Sequence, residues 1–107
     1  MTESDFNAAA DKVLAALARS LEESGADCDA EFKGDGVLEF EFEDGGRIIV
    51  NRHSAAQEIW VAAKSGGFHF RFDGARWVNT RDATELFAAL SKLVGDHCGR
   101  AVALRGQ

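Results

Sequence analysis

Asp27-Cys28-Asp29-Ala30-Glu31-Phe32-Lys33-Gly34-Asp35-Gly36-Val37-Leu38-Glu39-Phe40-Glu41-Phe42-Glu43-Asp44 is the stretch that decides the fold. Cys28, Ala30 and Phe32 alternate with acids, and so do Leu38, Phe40 and Phe42, which is the two-residue period of half-buried strands. Gly34–Gly36 between them has the length and composition of a three-residue hairpin loop. That loop predicts a register in which Phe32 faces Leu38, Ala30 faces Phe40 and Cys28 faces Phe42 on the buried side. The same register sets Glu31 opposite Glu39, Asp29 opposite Glu41 and Asp27 opposite Glu43 on the wet side. A slip of one residue would turn the carboxylates into the core, so the pairing is strongly specified.

Outward from this hairpin the period of two continues through Arg47–Asn51, Gln57–Lys64, Phe68–Phe72 and Arg76–Thr80. Turns at Asp44–Gly46, Gly66–Gly67 and Asp73–Gly74 separate these strands. Short turns between alternating strands predict an antiparallel meander with one wet face. Before the sheet, Phe6, Ala10, Leu14, Leu17 and Leu21 make a helical stripe, with Ser4 as the expected N-cap and Gly25 as the stop. After it, a second helix is expected from about Asp82 to Asp96, where Asp82 and Glu85 have capping-box spacing. Two terminal helices covering one face of a six-stranded antiparallel sheet make an α+β two-layer sandwich, expected as one domain over residues 1–107.

The composition narrows the function. The chain has 107 residues, and a hydrophobic share of 46 % is enough for a core. No apolar run approaches the roughly 20 residues needed to span a bilayer, and Met1–Lys12 lacks the pattern of a signal peptide. Two cysteines 70 positions apart make no disulfide framework, so a reducing, cytoplasmic setting is expected. A net charge of −6 argues against nucleic acid as partner. That charge is unevenly spread: residues 1–44 carry −10 and residues 45–107 carry +4. Such asymmetry points to an acidic face that suits a cation or a basic partner, the alternative being a surface that merely keeps the protein soluble.

Directly opposed side chains on a sheet have Cβ atoms about 4.5–5.5 Å apart, and like charges there repel. Arg47 is placed to relieve Glu43, and the other acidic pairs have no evident counter-charge. Either solvent screens such a cluster or a cation fills it. All-oxygen ligands suit Fe(III), Fe(II), Mn(II), Ca(II) or Mg(II). Carboxylates two apart on a strand stand about 6.5–7 Å apart, so two or three at most lean onto one ion and the sites are weak.

Other motifs carry less. CxxC, HExxH, DxDxDG and Glu-x-x-His patterns are missing. Lys64-Ser65-Gly66-Gly67 lacks the upstream glycine of a phosphate loop and reads as a turn. Ser65, His69 and Asp73 are too far apart along an extended chain for a hydrolytic relay. His97-Cys98 reads either as a soft-metal or haem ligand pair or as a helix-terminal histidine beside a half-buried thiol. Strand parity turns Trp60 outward as a candidate partner anchor, whereas Trp77 is expected in the core.

Asn51-Arg52, Gln57, Ile59-Trp60, Ala62, Lys64 and Ser65-Gly66-Gly67-Phe68-His69-Phe70 resemble the central signature of the bacterial frataxins, the CyaY family. Gly36-Val37-Leu38, Phe42-Glu43-Asp44-Gly45, Arg76-Trp77-Val78 and Thr80-Arg81-Asp82 extend the likeness, which runs from Phe6 to Val102 in the order α-β(6)-α. The resemblance implies a non-enzymatic protein of iron–sulfur cluster assembly that binds Fe(II) and Fe(III) weakly through an acidic ridge and docks on the cysteine desulfurase as regulator or iron donor. The scaffold protein of cluster assembly is a further expected partner, and the expected state is a monomer that metal can drive into oligomers. Ridge positions matched here are Glu3, Asp11, Glu22, Glu23, Asp27, Asp29 and Glu31, with Glu22 and Glu23 also facing the partner. The family's outward tryptophan falls on Trp60, with Asn51 and Lys64 nearby. This chain departs from the pattern at Asn7, Ala18 and Arg19, which thins the helical part of the ridge, and Glu39 and Glu41 extend the negative patch onto the sheet instead. An iron-storing ferroxidase, or a haem or redox sensor through His97-Cys98, is the alternative. Replacing Glu39→Gln together with Glu41→Gln is expected to weaken Fe(II) binding measured by titration and, by relieving repulsion, to raise the melting temperature of the metal-free protein.

Overall fold

The computed structural model describes residues 1–105. A long helix α1 (Glu3–Ser24) leads into six strands, β1 (Cys28–Phe32), β2 (Val37–Phe42), β3 (Arg47–His53), β4 (Glu58–Ala63), β5 (Gly66–Phe72) and β6 (Trp77–Asn79), and a second helix α2 (Leu86–Cys98) closes the order. The strands form one sheet in sequential order, every neighbouring pair antiparallel. The β1–β2 register is the one its alternation dictates: Cys28 opposite Phe42, Ala30 opposite Phe40, Phe32 opposite Leu38, with Asp29 opposite Glu41 and Glu31 opposite Glu39.

Both helices lie on the inward face. From α1, Phe6, Leu14 and Leu17 are fully buried against Leu38, Phe40 and Ile48 of the sheet. Trp77 is core as expected, 4 % exposed and edge-on to Phe6 at 5.8 Å. The cover thins at the β1 edge, where Cys28 and Ala30 are only half-buried. There Phe32, expected inside, is 50 % exposed, because it lies at the outer end of an edge strand. The chain after α2 turns back between the helices, with Val102 and Leu104 buried. Ser91 Oγ accepts from Leu104 N and Ser20 Oγ from Arg105 N, both at 2.8 Å, so its backbone is satisfied where it enters the core.

The helix starts differ from expectation. Thr2, not Ser4, caps α1, its hydroxyl accepting from Asp5 N at 3.0 Å. Gly25 ends the helix in the left-handed conformation, as its position foretold. The second helix begins four residues after Asp82. Ala83 has φ 63°, which no helix admits, and Asn79 N donates to Thr84 O, so residues 79–84 form a closed turn. Asp82 accepts from Thr84 N inside that turn, and Glu85 is the cap, accepting from Phe87 N at 2.8 Å and Ala88 N at 3.2 Å. Glu85→Ala should therefore cost about 1 kcal/mol in urea unfolding, the usual loss for an N-cap, and Asp82→Ala about half as much.

Candidate functional site

The wet face of the sheet divides into two fields. Asp29, Glu31, Glu39 and Glu41 stand on β1 and β2, and His53, Glu58, Trp60, His69 and Arg71 stand on β3 to β5. The acidic field is partly compensated, contrary to expectation. Lys33 Nζ lies 3.1 Å from Glu31 and 3.6 Å from Glu39. Arg47 Nη2 lies 3.3 Å from Glu41 rather than relieving Glu43, because the β2–β3 register puts Arg47 directly opposite Glu41. With these bridges lost, the Glu39 and Glu41 double replacement no longer has a net repulsion to relieve, and the expected gain in stability falls away. Asp27 and Glu43 lie outside the ladder, so the third expected pair does not form.

The remaining ridge positions are strung along α1. Glu3 is in its first turn, where a carboxylate favours the helix dipole. Asp11 is ion-paired with Arg52, which also holds Asp35 at 2.9 Å. Glu22 and Glu23 are exposed in the last turn, at the negative end of the dipole and with no base there. That placement is unfavourable by about 0.3–1 kcal/mol per charge, and the one cation brought to this helix end among the described hydrogen bonds is Arg100, which donates to Gly25 O at 2.8 Å. Glu22 and Glu23 adjoin Asp27 and Asp29 across Gly25, while Glu3 and Asp11 lie roughly 28 and 16 Å up the helix from Glu22. Among the described residues no three His, Cys, Asp or Glu side chains stand close enough to hold a metal ion together.

In the second field, Trp60 stands between two imidazoles. His53 stacks on one face at 3.8 Å and 11°, and His69 on the other at 4.6 Å and 10°. Its indole Nε1 donates to Glu58 Oε1 at 2.9 Å, and Arg71 Nη2 lies 2.9 Å from Glu58 Oε2. Glu58 is only 8 % exposed although it points away from the core. Burial alone would push its carboxyl up, but the hydrogen bonds from Trp60 and Arg71, with the charges of Arg71 and His69, outweigh it and hold the group below the ordinary carboxylate range. Trp60 therefore offers a partner its edge, both ring faces being covered. Asn51 is opposite Trp60 in the ladder and half-buried, whereas Lys64 lies in the turn after β4, about 13 Å along the chain from Trp60.

The sequence reading missed His53, Glu58, His69 and Arg71. Their signal lies in the strand registers, which put His53 and Arg71 opposite Glu58 and put Asn51 and His69 opposite Trp60. Those registers depend on the β3–β4 turn, where Gln57 takes φ 53°, a conformation its residue type does not announce.

A family model described as Frataxin-like domain matches residues 1–100. The iron–sulfur cluster assembly protein CyaY of Dechloromonas aromatica is 54 % identical over 105 residues, covering 98 % of this chain and 100 % of its own. That of Herminiimonas arsenicoxydans is 53 % identical over 109 residues, covering 98 % and 97 %. Among solved structures, frataxin from Psychromonas ingrahamii superposes with a TM-score of 0.89 at 28 % identity, covering 96 % of this chain and 97 % of its own. Trimeric frataxin from Saccharomyces cerevisiae, complexed with ferrous iron, gives 0.71 at 31 % identity, covering 85 % and 86 %.

The lowered Glu58 carboxyl has a pH signature. Its stabilisation is fully present above the ordinary value of 4.5 and is lost as pH falls through the lower value of the folded protein. Glu58→Gln should lose about 1–2 kcal/mol in urea unfolding at neutral pH, because Arg71 loses a charged acceptor. The difference between the two proteins should shrink as the pH falls below 4.5 and through the lower value of the folded protein.

Proposed function

The chain belongs to the frataxin family, and from that premise we propose that it serves iron–sulfur cluster assembly as a non-enzymatic iron-binding protein of the cytoplasm. The whole chain acts as one frataxin-like domain. It docks on the cysteine desulfurase as regulator or iron donor, with the cluster scaffold protein as a further partner. The observation that carries this reading is the concentration of acids at the end of α1 and on the β1–β2 edge: Glu22, Glu23, Asp27, Asp29 and Glu31 are exposed, and Glu41 and Glu39 stand opposite Asp29 and Glu31 in the ladder. Exposed ion pairs are each worth about 0–1 kcal/mol, so Lys33 and Arg47 yield readily to a stronger cation or a basic partner.

Iron is cargo here rather than a resident cofactor. With no three ligating side chains in one place among the described residues, one or two carboxylates and water hold each Fe(II) or Fe(III), and other divalent cations compete. Glu3 and Asp11 are outlying members of the ridge. Bridging of carboxylate faces between molecules is the route by which metal turns the monomer into oligomers. Trp60, Asn51 and Lys64 form a second contact region, presenting an aromatic edge, an amide and one cation. The haem alternative is disfavoured because His97 is already engaged, its Nδ1 2.9 Å from Asp44 and its ring stacked on Phe42.

Docking through an acidic face has a salt signature, because exposed charges are screened beyond about 8–10 Å at physiological ionic strength. Affinity for the desulfurase, measured calorimetrically, should fall at least about tenfold between roughly 50 and 300 mM salt. In an anaerobic Fe(II) titration, amide signals of residues 22–31 and 39–43 should broaden at micromolar metal. Salt-independent binding, or signals that stay sharp into the millimolar range, would overturn the docking or the iron half of the reading respectively.

A further inference from the structure

The two edges of the sheet are finished differently. At the β6 edge the chain covers itself: the strand has only three residues, Asn79 N donates to Thr84 O at 2.8 Å, and Val78 forms an antiparallel bridge with Glu85. At the other edge β1 has five residues and pairs with β2 alone. It carries neither a proline nor a break in register, two devices that keep a free edge from pairing. Ladder parity tells which of its backbone groups are free. Lys33 N donates to Val37 O at 2.9 Å, so in steps of two Glu31 with Glu39 and Asp29 with Glu41 are the hydrogen-bonded pairs. Phe42 N donates to Gly46 O at 2.9 Å, which commits Phe42, Phe40 and Leu38 to β3 and gives the same parity from the far side of β2. The N–H and C=O groups of Ala30 and Phe32 therefore point outward, away from β2. Among the described residues no turn, loop or cap hydrogen bond reaches them. The side chains along this edge are sorted by face. Asp29 and Glu31 stand exposed on the wet face, while on the helix side Ala30 is half-buried and Phe32 is 50 % exposed.

We propose that the outer edge of β1 takes up an extended segment of a partner chain as an added strand, one in which basic and apolar residues alternate. The inference rests on the reading that a basic partner docks at this acidic end, and it adds the backbone as the means of recognition. An added strand lies about 4.8 Å from β1 and satisfies the outward N–H and C=O groups of Ala30 and Phe32. Its basic side chains then come beside Asp29 and Glu31, and its apolar ones extend the helix-side layer over Phe32. Lys33 is the base already there, 3.1 Å from Glu31 with its side chain 46 % exposed, and so exposed a pair yields to a better-placed cation. The charges also exclude the other obvious occupant, a second copy of this chain. Pairing β1 with its own counterpart sets Asp29 and Glu31 against the same acids, and like charges opposed across a ladder are destabilising. Main-chain hydrogen bonds thus provide attachment, while charge and alternation choose the partner.

The test is amide hydrogen exchange, read by NMR on the full-length, metal-free protein with and without a probe peptide. The probe is an acetylated peptide of about seven residues in which lysine and valine alternate, long enough to span the five residues of β1. In the free protein the amides of Ala30 and Phe32 should exchange faster than those of Asp29 and Glu31, which are bonded to β2. At a peptide concentration about ten times its Kd, exchange at Ala30 and Phe32 should slow about tenfold. The same peptide with glutamate in place of lysine should slow neither. Ala30→Pro removes one outward N–H and leaves the bonds to β2 in place, so it should weaken binding of the lysine peptide about fivefold. Should that variant fail to fold, the exchange pattern of the unaltered protein still decides. Shifts on the wet face with Ala30 and Phe32 exchanging freely would overturn the proposal, and so would equal protection by the glutamate peptide. Protection that grows with protein concentration in the absence of peptide would give the edge to a second copy and overturn it as well. The docking reading is judged apart from this, by the salt dependence of desulfurase affinity: if that holds while Ala30 and Phe32 stay unprotected by the lysine peptide, strand addition alone falls.

Discussion

Moving β2 one residue against its neighbours would turn Leu38, Phe40 and Phe42 to water and bring Glu39 and Glu41 beneath the helices. Each of the three apolar side chains would forfeit about 1.5–3 kcal/mol, and each buried carboxylate would cost more than that. A penalty of this size leaves one register for the hairpin, and everything on the wet face depends on it. The same alternation that packs Phe40 and Leu38 at 0 % exposure delivers four carboxylates to the opposite side in two facing pairs. The acidic field is therefore a by-product of core formation as far as position is concerned, and only the choice of residue at those positions remains open.

That dependence also explains which parts of the molecule were legible beforehand. The β1–β2 pairing, the sheet order, Gly25 and the core place of Trp77 all follow from local pattern, where period, loop length and glycine agree. The start of α2 did not, because Asp82 and Glu85 carry capping signals of similar strength. The contest is settled by the turn at residues 79–84, a tertiary arrangement tied to β6 through Asn79. Phe32 was misplaced because parity says which face a side chain takes but not how far the helices reach along it. The counter-charges on Glu31, Glu39 and Glu41 were missed for a related reason. Lys33 reaches back across the loop end, and Arg47 pairs across a register that the acids of β1 do not determine. The His53–Trp60–His69 stack needs three strands to be in register at once, so no single stretch of sequence announces it.

The two outward fields differ in what holds them. The acidic one consists, apart from the largely covered Glu39, of solvated groups with loose ion pairs, so its charge is available and its geometry soft. The aromatic one is rigid: three stacked rings, with a carboxylate buried at their foot that accepts from both an indole and a guanidinium. A soft charged surface suits a partner or ion that is exchanged, and a stiff aromatic edge suits recognition by shape. Placing both on one face of one sheet lets a single partner read them together.

The segment 101–105 reaches back to the first helix, where Ser20 receives the amide of Arg105, and it seals the core with Val102 and Leu104. Those residues are made after all six strands and both helices. While the chain is being synthesised, the apolar face of the sheet waits incompletely covered until they arrive. Completion of the core thus waits for this segment, and a chain that does not yet contain it is the form most exposed to aggregation and to chaperones.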